Sequence, residues 1–371
     1  MQETELREAV VYFVSVFTSI LYEAMPFIVL GALIAGLLEE LVPQRIVTRL
    51  VPRNRILAIA IGGLLGALFP MCECGIIPIM RRLLRKGLPL SCCVCYMLGG
   101  PIINVVVMIS TYVAFSGDRS DVENASSTPA MQSSVDASTK TPASTSQTES
   151  KSPKLVSRQF SGWQMAAWRL GLGYLVAFGT SLIVEWQFRK HGNSLLAPMA
   201  RADVSGLPLV DDDDVPSLVR KPWSKRISNI AETTLHDFVD ITVYLIIGGL
   251  LTSAVRLFLS RDAITTLASH PSLAIGIMMG LAILLCICSE ADAFIAASYT
   301  LMPASSKLAF LVLGPMLDLK LYMMYTRVFR PRLIWTIITA VVVQVFIYSH
   351  IVHWLLEAYW NNADASLTGA G

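Results

Sequence analysis

Charge is what this chain has least of. Aspartate, glutamate, lysine and arginine make up 15% of its 371 residues, against roughly 25% in a soluble domain. That shortage excludes an ordinary water-soluble globule. A net charge of +2 gives no reason to expect nucleic acid as a partner. Histidine is scarce too, with five residues and no tidy zinc spacing. There is no Gly-x-x-x-x-Gly-Lys loop to cradle phosphates, so nothing points to ATP. No Ser-His-Asp grouping is visible, so no catalytic residue is assigned and no cofactor is expected. The seven cysteines, at 72, 74, 92, 93, 95, 286 and 288, all lie in apolar segments, and none has the loop spacing of an extracellular disulfide framework.

What the chain does have is long apolar runs. The hydrophobic set reaches 54% and the mean hydropathy is +0.58. A spanning helix needs about 20 mostly apolar residues. Eight windows qualify: 9–38, 56–80, 88–115, 162–188, 238–259, 271–302, 306–326 and 332–356. The expected fold is therefore an all-α integral membrane protein with about eight transmembrane segments, its first partner being the lipid bilayer. The first window reads as a retained span, because its flank MQETELRE is acid-rich and its run is twice a signal's length.

Two polar stretches interrupt this pattern. Residues 116–159 are rich in Ser, Thr and Pro and cannot bury enough apolar surface to order themselves. Residues 189–222 form a connection with an acidic patch at Asp211–Asp214. The expected organisation is a first membrane repeat over 1–115 and 160–188, a disordered linker at 116–159 and an acidic connection at 189–222. A second repeat follows over 223–360, with a flexible tail at 361–371.

The repeat shows when the sequence is slid by 214 residues. Gly66 then falls on Gly280, Cys72 on Cys286, Cys74 on Cys288, Pro89 on Pro303, Ser91 on Ser305, Gly100 on Gly314 and Pro101 on Pro315. Asn104 lands on Asp318 and Glu23 on Asp237. Internal repeats of this kind mark many secondary transporters, with the site at the repeat interface near the midplane. Each half carries two helix interruptions. One is the Cys-x-Cys motif, "PMCECG" with Pro78 beyond it in the first half. The other is the Gly-Pro motif, "GGPIIN" with Gly100 and Pro101, matched by "LGPMLD" with Gly314 and Pro315. Proline removes a helical hydrogen bond. In lipid the freed groups need protein or a water-lined cavity. Four broken elements meeting in the interior are expected.

Cysteines two apart diverge by about 200° on a continuous helix, but an unwound turn lets both face one point. The half-helix that restarts after "CECG" would present free N–H groups and a partial positive charge. Thiolates ligate soft ions, and trivalent arsenic belongs to the same class. Cys72, Glu73, Cys74, Asn104, Cys286, Cys288 and Ser289 are the expected substrate-binding residues, with Cys72, Cys74 and Cys288 as metal ligands. Carboxylates at bilayer depth are costly and face a cavity or a partner, so Glu290, Asp292 and Asp318 are candidates for proton coupling. Glu23, Asp237 and Asp240 read as interfacial, Lys307 as a partner for an acid or a snorkelling side chain, and "RRLLRK" (81–86) as a contact for lipid headgroups.

Orientation is ambiguous. Loop 42–55 carries Arg45, Arg49, Arg53 and Arg55, and the next carries Arg81, Arg82, Arg85 and Lys86. A simple span between them would put two basic loops on opposite faces, against the usual asymmetry. A chain that turns back at "PMCECG" would leave both on one side.

"CECGIIPIMRRLLRKGLPLSCCVCYMLGGPIIN", "CSEADAFIAASY" and "KLAFLVLGPMLDLK" resemble the paired signatures of bacterial two-domain permeases, the family that includes ArsP-type organoarsenical exporters and YraQ-type permeases. The resemblance implies an eight-helix, multi-pass inner-membrane permease, and in some members cysteine-assisted efflux of trivalent organoarsenicals. Glu73 stands where relatives commonly have Ser, and Glu290 where Ser or Thr is common; the added carboxylates could turn the substrate toward a metal cation. The leading expectation is a secondary transporter of a small soft solute. The competing ones are a membrane thiol oxidoreductase and a non-transporting subunit of a metal-handling assembly. Substrate identity, coupling ion and association of several copies stay open.

Overall fold

The computed structural model describes residues 2–41, 52, 54–68, 71–116, 160–191, 223–257, 271–299 and 302–368. The linker 117–159, the connection 192–222, Pro70 and the basic residues Arg45, Arg49 and Arg53 lie outside the described residues. The described residues are helical, with no strand. The helices are α1 (Gln2–Leu41), α2 (Arg55–Leu68), α3 (Glu73–Arg85), α4 (Leu90–Gly99), α5 (Val105–Ser116), α6 (Gly162–His191), α7 (Trp223–Leu257), α8 (Pro271–Leu285), α9 (Asp292–Ser298), α10 (Ala304–Leu313), α11 (Leu319–Val328) and α12 (Pro331–Thr368). Helix α12 runs through Thr368, where the sequence reads as a tail.

Among the described residues four helices are long and apolar enough to cross a membrane: Arg7–Leu41, Gly162–Lys190, Ser224–Val255 and Pro331–Ala358. The other four windows are each divided into two shorter helices, at the Cys-x-Cys and Gly-Pro motifs. Exposed Trp163 and Trp186 stand near the two ends of α6, and Trp335 and Trp354 near the two ends of α12. At 1.5 Å per residue these pairs are about 34 and 28 Å apart, close to the hydrocarbon thickness of roughly 30 Å. Tryptophan favours the two membrane–water interfaces, so the long helices carry the belts that frame a bilayer.

The contacts between helices give their directions. On α2, Gly62 faces Cys92, Gly63 faces Cys95 and Gly66 faces Gly100, so α2 and α4 run parallel. Between them α3 runs back, with Ile76 against Gly100 at one end and the 86–89 turn at the other. The chain therefore enters along α2 and leaves along α3 in the opposite direction. Helices α4 and α5 form one broken line antiparallel to α6. Ser91 donates to Glu185 at 2.9 Å, Ile102 packs on Gly173, Thr111 accepts from Arg169 at 2.7 Å, and Ser116 abuts Gly162.

The second half runs the other way. Helix α7 is antiparallel to α1, with Arg226 beside Glu40 at one end and Gly249 beside Ile20 further along. Helices α8 and α10 both start beside the C-terminal part of α12, through Ser272–His350 at 2.8 Å and Ser305–His353 at 3.3 Å. Helix α11 runs from Gly248 toward Asp240 along α7. Thus α2–α3 dips in from the end that holds Arg55, Arg81, Arg82, Lys86, Arg189 and Arg226, the basic end, and α8–α9 dips in from the opposite end.

Local features recur at the 214-residue offset. Helices α4 and α10 are both ten residues long, preceded by Pro89 and Pro303 and followed by Gly100 and Gly314. After each, two N–H groups fold back onto one carbonyl: Ile102 and Ile103 onto Gly99 at 3.0 and 2.8 Å, Met316 and Leu317 onto Leu313 at 3.0 and 2.9 Å. Asn104 Oδ1 then accepts from Val106 N at 3.0 Å, and Asp318 Oδ1 from Leu321 N at 2.6 Å. Each break is thus closed by a side chain that satisfies the N–H groups the proline break leaves over.

Candidate transport site

The tips of the two hairpins meet in the interior. Cys72 is the extended residue before α3, and Glu73 is the first residue of that helix. Pro78 sits inside α3 and has no N–H for the carbonyl of Cys74, four residues back. On the other side, Cys286 has a φ of 46°, a left-handed conformation that a side chain enters only where the chain must turn sharply. The segment 286–291 then leads into α9 at Asp292, whose N–H donates to the Cys288 carbonyl at 3.1 Å.

Between the tips lies Lys320, from the first turn of α11. Its ammonium is 2.8 Å from Glu73 Oε1, 3.5 Å from Asp318 Oδ2 and 3.6 Å from Cys288 Sγ. Ser289 Oγ reaches Glu73 Oε2 at 3.5 Å and Glu290 Oε2 at 3.4 Å. Lys320, Glu73, Asp318 and Cys288 are each 3% exposed or less. Cys72 and Cys74, on either side of Glu73 in the chain, are buried with it. Cys72, Glu73, Cys74, Cys288, Ser289, Glu290 and Asp318 are therefore gathered about one centre.

A second buried pair stands beside it. Arg169 of α6 donates to Asp292 Oδ2 at 2.7 Å, to the Ser289 carbonyl at 3.1 Å and to Thr111 at 2.7 Å. The guanidinium ties α5 and α6 of the first half to the tip of the second hairpin. Removing one partner of such a pair would leave a charge stranded in the apolar interior, a loss of about 3–5 kcal/mol.

Other expected residues sit elsewhere. Cys286 Sγ accepts from Leu319 N at 3.2 Å and donates to the Ile283 carbonyl, so it braces the start of α11. Asn104 is buried and caps α5. Among the described residues no three His, Cys, Asp or Glu side chains form a group that could hold a metal ion. Lys307 lies 5.9 Å from the centroid of the Phe115 ring.

"RRLLRK" does more than face headgroups. Arg82 pairs with Asp237 at 2.7 Å and Arg81 with Asp240 at 3.4 Å, across from α3 to α7. Lys86 donates to the Glu39 carbonyl at 2.9 Å. Beside this lattice, a cavity of about 10 Å³ is lined by Ile77, Arg81, Asp240, Tyr244, Met324 and Val328, room for about one water.

Lys320 and Arg169, the two cations at the centre, were not singled out by the sequence reading. The available signal was a lysine directly after the Gly-Pro-x-x-Asp run and an arginine inside an apolar window, both of which intramembrane cost marks as functional.

No solved structure matches the chain significantly. It is 33% identical over 335 residues to the "UPF0718 protein YcgR" of Bacillus subtilis, covering 89% of this chain and 93% of that protein. It is 28% identical over 331 residues to a Streptococcus mutans protein named "Putative two-component membrane permease complex subunit", covering 89% and 91%. The ArsP_1 family, described as predicted permease, matches residues 10–124 and 155–354. With that match over most of its length and its apolar spanning helices, the chain belongs to the ArsP_1 permease family and is a multi-pass membrane protein.

Proposed function

We propose that this permease is a secondary transporter built from two inverted-topology repeats, and that it exports a soft, thiol-seeking solute, a trivalent organoarsenical or a metal ion. The observation that carries the reading is the meeting of two oppositely directed hairpin tips at Glu73, Lys320 and Cys288, all buried in the protein. Half-helix N-termini at Glu73, Val105, Asp292 and Leu319 all begin at breaks in the interior, the arrangement that transporters use to hold ions and polar groups at the midplane. The repeat reading is supported by the matched helices α4 and α10, the matched caps Asn104 and Asp318, and the opposite directions of the hairpins. Three traversals per half plus one re-entrant hairpin would invert the second half relative to the first. The basic end is the cytoplasmic one on the positive-inside rule. Glu290, Asp292 and Asp318 are the groups through which a proton gradient would act.

The test is flux in proteoliposomes under an imposed pH gradient, with methylarsenite, arsenite, zinc and copper. Gradient-driven movement of at least one is expected. Correctly inserted protein that moves none of them overturns the reading. The printed name of the Streptococcus relative favours a second possibility, that the chain acts with another membrane component. In that case flux appears only after the partner, recovered by pull-down from native membranes, is added.

A further inference from the structure

Three side chains of metal-binding type converge on one nitrogen that is not a metal. Glu73, Asp318 and Cys288 point at Lys320 Nζ from 2.8, 3.5 and 3.6 Å. We propose that the Lys320 ammonium is the resident occupant of a cation site, and that the solute which displaces it is a thiophilic divalent cation of the zinc or cadmium type. This deepens the transporter reading and rests on it, choosing the cation over the neutral organoarsenical.

Charge supports the choice. The buried centre holds the carboxylates Glu73, Asp318 and Asp292 against the cations Lys320 and Arg169, and half-buried Glu290 adds another acid at its edge. With these acids ionised the centre carries a negative excess, which in the interior is costly unless a proton or a further cation arrives. The divalent ion brings two positive charges and the Cys288 thiol gives up one proton, so with the Lys320 ammonium retained at Glu290 the centre gains one. A neutral arsenical bound by thiols alone would leave that excess in place.

The donor atoms are also suited. Asp318 Oδ1 is committed to capping α11, but its Oδ2 and Glu73 Oε1 make no directed hydrogen bond despite full burial. Two carboxylate oxygens and one sulfur form a set that a borderline-soft ion takes at about 2.0–2.3 Å. At their present spacing around an ammonium they are too far apart to coordinate, which accounts for the lack of a preassembled three-ligand group among the described residues. Departure of Lys320 lets them close. Its flexible four-carbon stem can carry the ammonium to Glu290, which shares Ser289 with Glu73. Lys320 stays protonated throughout. The proton of the Cys288 thiol passes to water as the metal–sulfur bond forms, and nothing is oxidised or reduced.

Full-length protein in lipid nanodiscs, titrated with cadmium chloride, tests this by equilibrium dialysis and by the ultraviolet band of cadmium bound to thiolate. Lys320→Met removes the competitor and is expected to tighten binding roughly ten-fold or more. The gain must vanish when Cys288→Ser is added. Equal affinity in the wild type and Lys320→Met, or a gain that survives Cys288→Ser, overturns the proposal. Should Lys320→Met fail to fold, Asp318→Asn serves, since it keeps both cap and lysine. It should weaken cadmium binding roughly ten-fold, and unchanged affinity overturns the proposal equally. Methylarsenite flux without cadmium binding sinks this inference and spares the transporter reading. Cadmium binding without flux of any solute does the reverse.

Discussion

Arg82 on α3 gives two hydrogen bonds to one oxygen of Asp237 on α7, from Nε at 3.1 Å and from Nη2 at 2.7 Å. Both residues are buried, and Glu39 approaches the same guanidinium at 3.7 Å. The pair latches the first hairpin to the second half at the basic end. Its counterpart at the opposite end is missing from the sequence, because the 214-residue offset puts Ala296 where Arg82 would be.

Breaking that latch should open the basic end. Arg82→Leu leaves Asp237 with Arg81 at 4.0 Å as its remaining arginine and is expected to cost up to about 3–5 kcal/mol, whereas Arg82→Leu with Asp237→Leu should recover much of the loss. Thermal unfolding in detergent measures both. A cysteine introduced at Ile77 should react faster with a membrane-impermeant maleimide from the basic side in the single variant. Unchanged labelling would mean that the pair only fastens the fold.

Gly66 and Gly280 are equivalent in the offset but not in packing. A methyl group on Gly66 would collide with the backbone of Gly100, while nothing stands near Gly280. Gly66→Val should cost a few kcal/mol through overpacking and lower the yield of folded protein. Gly280→Val should be recovered near wild-type levels. Equal losses at the two sites would contradict the close approach of α2 and α4.

Asp318 and Asn104 separate capping from charge. Asp318→Asn keeps an oxygen for the Leu321 N–H but removes the charge beside Lys320, so folding is expected to hold while gradient-driven flux is lost. Asn104→Ala removes a cap worth about 1 kcal/mol and should lower stability and reduce flux without abolishing it. Vesicle flux and melting temperature report the two effects. Full driven flux in Asp318→Asn would reduce that residue to a structural cap.

Residues 120–155 should be dispensable. Their composition cannot support a packed core, and Ser116 of α5 already touches Gly162 of α6, so a short loop can join the two helices. Deletion is expected to leave insertion and flux intact. Loss of both at normal expression would assign the segment a function.

Much of the fold was legible because its causes are local. Apolar length marks the long helices, and the Cys-x-Cys and Gly-Pro motifs mark where the other windows divide. Two basic loops flanking one apolar window hinted at the opposite directions of α2 and α3. The centre was half legible. Cys72, Glu73, Cys288 and Asp318 stand in motifs that repeat, but Lys320 and Arg169 have no counterpart at the offset and drew no notice. Pairings such as Arg82–Asp237 and Arg169–Asp292 join residues 155 and 123 positions apart. Spacing along a chain carries no trace of them, and without them "RRLLRK" resembles any basic segment at a membrane surface.

The cross-pairing of the halves bears on how the protein is made. Glu73 and Arg169 leave the ribosome well before Lys320 and Asp292 exist to neutralise them. Helices α2 and α3, at 14 and 13 residues, are too short to be recognised as full spans by the insertion machinery. The first half must therefore wait, with an unpaired carboxylate and guanidinium, near the translocon or at the lipid surface. Only when the second half emerges can the two hairpins sink to their final depth together. Maturation of this permease is then a late, concerted event, open to rescue when the halves are synthesised as separate chains and blocked when the second is withheld.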